Sequence, residues 1–186
     1  EAGKLYKVKK EKIAWTSKPT NIYFYESFDE TNGKGGNDGQ WSGSIASNNV
    51  TYDNSGWVVS NEGGAKQCLK LGSSSSQGIA TTPSLGINSG NATLWFKAGA
   101  WKGDSETLLI SIDGNGTISP TEITLADASW TEYFCNITGA DANTKVKLSA
   151  KNASKNRFFL DEVYVYSGPN PLNSVNIISG EGGTIS

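Results

Sequence analysis

Apolar and polar side chains alternate with a period of two along most of the chain, which predicts β-strands rather than helices. The pattern is clearest at 92–101, where Leu94 and Phe96 fall on one face and Trp95 and Lys97 on the other. Further strands are predicted at 21–29, 57–60, 67–71, 79–82, 107–113, 118–125, 132–138, 145–151 and 157–166. About nine or ten short strands separated by turn residues indicate an all-β fold, an antiparallel two-sheet β-sandwich of the jelly-roll kind.

The segment 156–166 is predicted to be a central strand, because apolar residues occupy both of its faces. Phe159, Val163 and Val165 share one face at period two, and Asp161 shares that face with them. The alternation therefore predicts that Asp161 points into the sandwich. An inward carboxylate needs a hydrogen-bond partner, an ion pair or a metal, because its burial without one is costly.

Glycine, proline and asparagine mark the turns and the domain limits. The sequence Asp-Gly-Asn-Gly at 113–116 predicts a β-hairpin, and Pro120 predicts a bend or an edge in the strand that follows. The Gly- and Asn-rich stretch 30–44 is too long for a simple turn, which is typical of a functional or metal-ordered loop.

Three segments are predicted along the chain. Residues 1–20 form a basic N-terminal segment or edge strand, residues 21–167 form the sandwich domain, and residues 168–186 form a linker or the start of a following module.

Composition removes several classes of function. The 186 residues carry a formal net charge of −2, which argues against a nucleic-acid-binding surface or a polybasic membrane patch. No apolar run approaches the roughly 20 residues of a membrane-spanning helix, so membrane insertion is not expected. The absence of histidine excludes Ser-His and Cys-His catalysis and His-ligated zinc. Cys68 and Cys135 are two buried thiols or one long-loop disulfide, and the sequence leaves both open.

Several segments within 21–167 resemble secreted galactose-binding-like, carbohydrate-binding jelly-roll modules of Bacteroidetes. The resemblance lies in the segments Glu-Ser-Phe-Asp at 26–29, Gly-Gly-Asn-Asp-Gly-Gln-Trp at 35–41, Ala-Thr-Thr-Pro at 80–83, Asn-Ala-Thr-Leu-Trp-Phe-Lys-Ala at 91–98 and Phe-Leu-Asp-Glu-Val at 159–163. It implies a galactose-binding-like β-sandwich on an extracellular or cell-surface protein.

The resemblance also implies a structural calcium ion. In similar modules an acidic residue follows a Phe on the first strand and another precedes Val-x-Val on the last, and the two acids bind Ca²⁺. The matching positions are Asp29 and Asp161, and Glu26 or Asp38 would add a further carboxylate. The alternative is that Asp161 accepts hydrogen bonds from the loop or pairs with a basic side chain.

The resemblance further implies polysaccharide binding through loop aromatics. Trp41, Trp57, Trp101 and Tyr52 are predicted to stack on sugars, and packing beneath a loop is the alternative for each of these rings. A structural or adhesive spacer in a multidomain surface protein is the alternative function. A glycoside hydrolase is disfavoured, because adjacent strand residues such as Asp161 and Glu162 face opposite ways and the Glu-x-Asp-x-x-Glu signature of jelly-roll glucanases is missing.

Overall fold

The structure is a computed structural model that describes residues 21–45, 49–88 and 90–168. The predicted segments 1–20 and 168–186 lie outside these ranges except for residue 168, so their interpretation stays a prediction. Within the described ranges no helix is long and apolar enough to cross a membrane.

The described residues form two antiparallel sheets built from short strands, as the period-two pattern predicts. In chain order the strands are β1 (Ile22–Glu26), β2 (Val58–Ser60), β3 (Glu62–Gly64), β4 (Leu69–Leu71), β5 (Ile79–Thr81), β6 (Asn91–Ala100), β7 (Thr107–Asp113), β8 (Thr117–Ser119), β9 (Glu122–Thr124), β10 (Thr131–Thr138), β11 (Lys145–Ala150) and β12 (Phe158–Tyr166). The two-sheet β-sandwich is therefore confirmed.

One sheet has seven strands and the other has five. The seven-stranded sheet has the order β3-β4-β12-β6-β10-β8, and β1 pairs with β12 along the same edge that β4 uses further on. The five-stranded sheet has the order β2-β5-β11-β7-β9. β12 lies in the middle of its sheet, as predicted, so the first and last strands of the described domain are neighbours.

The main hydrophobic core lies between the two sheets. Leu94 and Phe96 of β6 are fully buried in it, as the alternation of β6 predicts. On the five-stranded sheet, Val146 and Leu148 of β11 point into the same core, whereas Lys147 between them does not. Each sheet therefore has one inner face, which lines the main core, and one outer face.

The predicted faces of β12 are wrong beyond Asp161. A β-bulge lies between Asp161 and Tyr164, where Glu162 adopts a left-handed φ of 52°. The bulge adds one residue and shifts the alternation, so Val163 joins the main core while Phe159 does not. Asp161 therefore lies on the outer face of the seven-stranded sheet and not between the sheets.

The bulge also corrects the predicted separation of Asp161 and Glu162. The Tyr25 hydroxyl donates to Glu162 Oε2 across 2.8 Å, and Tyr25 lies between two inward residues of β1. Glu162 is therefore on the outer face as well, on the same side of the sheet as Asp161.

The turn at 113–116 exists, but it does not form the predicted hairpin. β7 ends at Asp113 in the five-stranded sheet, whereas β8 pairs with β10 in the seven-stranded sheet. The chain then returns to the five-stranded sheet at β9, and Pro120 lies at the break between β8 and β9 as predicted. The chain crosses between the sheets here because Ile118 is buried in the main core as part of the seven-stranded sheet, opposite β7.

Both cysteines are buried free thiols. Cys135 lies in the main core, whereas Cys68 lies in a second cluster outside it. Burial raises the pKa of both thiols to about 12, so neither is a reactive thiolate near neutral pH.

Candidate functional site

A second hydrophobic cluster covers part of the outer face of the seven-stranded sheet. Its centre is the fully buried ring of Phe159, against which Trp41 and Trp130 pack edge-on at centroid distances of 5.2 and 6.4 Å. Trp41 lies directly over Gly99 of β6, where a Cβ atom would come within 2.6 Å of the indole ring. The glycine thus provides the room that Trp41 occupies.

Trp101 belongs to the same cluster and is only 7% exposed. Its ring is parallel to that of Phe159, and the guanidinium of Arg157 lies 3.9 Å from its centroid. Arg157 is itself fixed by Asp104, with Nε to Oδ2 at 2.6 Å and Nη2 to Oδ1 at 2.8 Å. Trp101 thus lies outside the main core, as the alternation predicts, but its ring is packed against Phe159 and Arg157. Its predicted stacking on a sugar stays a prediction.

The Gly-rich loop is ordered by its own hydrogen bonds. The Asp38 carboxylate accepts the N–H groups of Gly35 and Gln40 at 3.0 and 2.9 Å, and these bonds lower the pKa of Asp38. Gly36 has a φ of 72° and sits so close to the sheet that a Cβ would be 2.5 Å from Cys68 Sγ. The glycines therefore let the loop backbone lie on the outer face and close the second cluster.

Asp161 is held beneath this loop and is 6% exposed. Asn37 Nδ2 donates to Asp161 Oδ2 at 3.1 Å, and among the described residues no donor reaches Oδ1. Burial raises the pKa of Asp161 from 3.8 to about 7; the Asn37 bond and Lys97 oppose this shift, while the charge of Glu162 adds to it. The hydrogen-bond partner of Asp161 is thus a side-chain amide of the Gly-rich loop, which agrees with the alternative that the loop supplies its donors.

The two predicted calcium ligands occupy different surroundings. Asp29 is exposed, whereas Asp161 is buried beneath the loop. Glu26 is also fully buried, but N–H groups satisfy its carboxylate: those of Asp53 and Asn54 at 2.6 and 3.1 Å and other donors on the same loop. The described ranges contain no group of three or more His, Cys, Asp or Glu side chains that could hold a metal ion. The calcium site therefore stays a prediction.

Tyr52 and Trp57 form a separate aromatic pair. Their rings stack at a centroid distance of 5.9 Å, and both contact the buried ring of Phe28. Trp57 Nε1 donates to Glu26 Oε2 at 2.9 Å, and the Tyr52 hydroxyl donates to Glu62. The structure therefore brings Tyr52 and Trp57 together, but not with Trp41 and Trp101, and it engages their polar atoms within the protein.

A row of four aromatic side chains crosses the rest of the outer face of the seven-stranded sheet. We call Tyr25, Tyr164, Trp95 and Phe134 the aromatic row; they lie on β1, β12, β6 and β10 and are cross-strand partners in register. Successive ring centroids are 4.0, 5.0 and 6.5 Å apart. Four adjacent strands span about 14 Å, so the row forms an extended apolar strip.

The rings of the row differ in exposure. Trp95 is 7% exposed and forms the floor, whereas Tyr25, Tyr164 and Phe134 are each half-buried and present ring surface to solvent. Stacking across the strands keeps each ring in place, so little side-chain freedom is left for a ligand to remove.

Charged groups follow one side of the row. Glu132, Lys97 and Asp161 are in register on β10, β6 and β12, and Glu162 is next to them at the bulge. Trp95 Nε1 donates to Glu132 Oε2 at 3.3 Å, so a carboxylate also engages the polar edge of the floor ring. The site thus combines flat apolar rings with fixed hydrogen-bonding groups at their edges.

Sequence reasoning missed the row as a unit. It placed Trp95 outside the main core, which is correct, but nothing local connects Trp95 with Tyr25, Tyr164 and Phe134. The useful signal was the aromatic residue at an outward position of each of these strands. Their assembly depends on the strand order β1-β12-β6-β10, which becomes visible only in the sheet.

Comparison with solved structures finds domains that share this β-sandwich fold. The xylan-binding CBM22-1 domain of Xyn10C from Paenibacillus barcinonensis has 14% identity and a TM-score of 0.50, covering 81% of this chain and 97% of that domain. The K3 adhesin domain of Lys-gingipain from Porphyromonas gingivalis has 15% identity and a TM-score of 0.49, covering 79% of this chain and 98% of that domain. The conclusion about fold rests on the first of these, and at such low identity it concerns the fold alone.

Comparison by sequence gave no match. Neither a protein-family profile nor a curated protein matches the chain.

Proposed function

We propose that this domain is a non-catalytic carbohydrate-binding module that binds polysaccharide along the aromatic row. The observation that carries the proposal is the alignment of Tyr25, Tyr164, Trp95 and Phe134 across four strands. Flat rings of this kind pack against the apolar C–H faces of sugars, and the adjacent carboxylates accept bonds from sugar hydroxyls. The strip is long enough for several sugar units of a chain, which favours a polymer over a monosaccharide.

The fold supports the same proposal. The similar domain from Paenibacillus barcinonensis is named for xylan binding, and this chain covers nearly all of its length. A module that binds polymeric glycans would act where such polymers occur, so an extracellular or cell-surface location belongs to the proposal.

A structural or adhesive spacer is the second candidate. The observation that favours it is the packing of Trp41 and Trp101 around Phe159, where these rings hold the Gly-rich loop on the sheet. A domain whose tryptophans serve only this purpose would bind no glycan.

Affinity electrophoresis in gels containing soluble polysaccharides distinguishes the two candidates. The wild-type domain should be retarded by at least one of arabinoxylan, hydroxyethyl cellulose and galactan. Tyr164→Ala and Phe134→Ala should reduce the retardation about tenfold in apparent affinity, because each removes an exposed stacking ring. Tyr52→Ala is the matched control, since Tyr52 is a half-buried aromatic residue outside the row.

Each result assigns the function differently. Loss of retardation in Tyr52→Ala with full retardation in Tyr164→Ala would place binding at Tyr52 and Trp57, as the sequence predicts. No retardation of the folded wild-type domain by any glycan would favour the spacer. Melting curves of every variant show whether the fold is retained.

A further inference from the structure

We infer that the aromatic row selects glycans without negative charge, so that polymers of uronic acids or sulfated sugars are excluded. The inference rests on the proposed function and names the class of ligand that the same site accepts. It follows from the charges that border the row.

Carboxylates border the row at two of its rings. Glu162 accepts the hydroxyl of Tyr25 at 2.8 Å, and Glu132 accepts Nε1 of Trp95 at 3.3 Å. Glu132 is exposed and Glu162 is half-buried. A sugar stacked on these rings would bring its substituents next to both carboxylates.

Negative charge also acts on the ring of Tyr164. Burial raises the pKa of Tyr164, the hydrogen bond with Tyr25 opposes this shift, and the charges of Glu162 and Asp29 add to it.

The strands that carry the aromatic row contribute one basic side chain to the described outer face. Among the outward residues of β1, β6, β10 and β12 that the structure describes, Lys97 is the only basic one. Lys97 lies in register between Glu132 and Asp161, and its Nζ is 5.9 Å from the Trp95 ring centroid. With the Glu132 and Glu162 carboxylates bordering the same rings, the single charge of Lys97 does not make this border positive.

Arginine is the residue that best recognises a carboxylate or sulfate through paired hydrogen bonds. Arg157 is the only arginine in the sequence; its Nε and Nη2 are bonded to Asp104, and its guanidinium lies over the Trp101 ring. The one arginine is therefore engaged at Trp101, away from the rings of the row. Ionised Glu132 and Glu162 accept hydrogen bonds and cannot donate them, which suits the hydroxyls of a neutral sugar.

Pairs of polymers that share a backbone and differ in charge test the inference. Suitable pairs are hydroxyethyl cellulose with carboxymethyl cellulose, and arabinoxylan with glucuronoxylan. In affinity electrophoresis at low salt, the neutral member should bind more tightly, by about fivefold for each ligand charge close to a carboxylate. Because salt screens exposed charges, the difference should shrink as the ionic strength rises.

Removing the carboxylate charges that border the row should reduce the difference in affinity between the neutral and the anionic polymer of each pair. Glu132→Gln is the first variant, because Glu132 is exposed and its loss should leave the fold intact; Glu132→Gln with Glu162→Gln is the second. Asp113→Asn is the control, since Asp113 is an exposed carboxylate on the outer face of the other sheet.

The inference and the proposed function fail in different ways. If the anionic members bind more tightly than the neutral ones and salt weakens them, the inference is overturned while glycan binding stands. If no member of any pair is retained by the folded domain, the proposed function falls and the inference falls with it.

Discussion

The outer faces of the two sheets are built differently. On the five-stranded sheet the outward positions are mainly Ser, Thr and Lys, as in Ser111 opposite Lys147, and they include no aromatic residue among the described strands. On the seven-stranded sheet the outward positions carry the aromatic row and, beside it, Phe159 beneath the Gly-rich loop. One sheet therefore has a single core-facing side, whereas the other is apolar on both sides.

The extra apolar surface of the seven-stranded sheet has two parts. A sandwich of this size needs apolar side chains on the inner face of each sheet, and on the five-stranded sheet the outer face is mainly polar. The seven-stranded sheet uses part of its outer face to hold a loop and leaves the remainder half-exposed. Half-exposed, mutually stacked rings are an unusual surface for a domain without a ligand.

The largest expected effect concerns the covered part of the aromatic outer face. Phe159→Ala should lower the free energy of unfolding by about 3–5 kcal/mol, because Phe159 is fully buried and is the centre of the second cluster. Leu109→Ala, on the outer face of the other sheet, should cost about 1 kcal/mol or less, since Leu109 is half-buried. Urea denaturation measures both, and similar losses for the two variants would contradict the distinction.

The second effect is the pH dependence that Asp161 imposes. Its pKa of about 7 in the folded state lies above the ordinary 3.8, so the folded state holds the proton more tightly. The resulting stabilisation is complete below about pH 4 and is lost as the pH rises through 7, with a magnitude on the order of 4 kcal/mol. Stability should therefore fall between about pH 4 and 7 and level off near pH 8.

Asp161→Asn should remove this slope and leave the domain more stable than wild type near pH 8. Asp113→Asn is the control and should keep the slope, because Asp113 is an exposed carboxylate on the other outer face. Urea denaturation at a series of pH values gives both curves. A wild-type stability that is flat or rising over this range would contradict the burial of a protonated Asp161.

The calcium prediction gives the opposite sign and can be separated from this account. An ion held by Asp29 and Asp161 binds the ionised carboxylates, so stability in calcium would rise with pH. A chelator would then lower the melting temperature of the wild type but not of Asp161→Asn. That outcome would show that Asp161 is an ionised metal ligand and not a buried protonated carboxyl.

The smallest effect concerns the hydroxyl of Tyr25. Tyr25→Phe keeps the ring on Tyr164 but removes the donor to Glu162, so glycan affinity should fall only a few-fold, with about 1 kcal/mol of stability lost. Tyr133→Phe is the matched control: its hydroxyl bonds the backbone of Thr124 and Ala126 away from the row. This control should lose similar stability without any change in binding, and an equal loss of binding in both variants would count against the row.

Local patterns predict the strands well because alternation is a local property. The two faces of β6 and the inward residues of β11 follow directly from period-two spacing, and the break at Pro120 follows from its missing N–H. The inward residues of β6 and β11 could thus be predicted from the sequence alone.

The outer face could not be predicted in the same way. The bulge at Glu162 depends on one non-glycine residue in a left-handed conformation, which no residue preference signals. The burial of Trp41 and Trp101 depends on where the Gly-rich loop folds back, and the turn at 113–116 connects two sheets because of tertiary packing on Ile118. The aromatic row needs the strand order, which is a global property of the fold.

The most direct test of the central claim is an NMR titration of the indole N–H signals with a neutral oligosaccharide from the polymer that binds best. Trp95 Nε1 lies at the aromatic row, whereas Trp57 Nε1 is bonded to Glu26 and Trp101 is stacked on Phe159. Binding along the row predicts a large shift of the Trp95 signal, absent in Tyr164→Ala, with the Trp57 and Trp101 signals unchanged. A shift of the Trp57 or Trp41 signal with an unmoved Trp95 signal would contradict it.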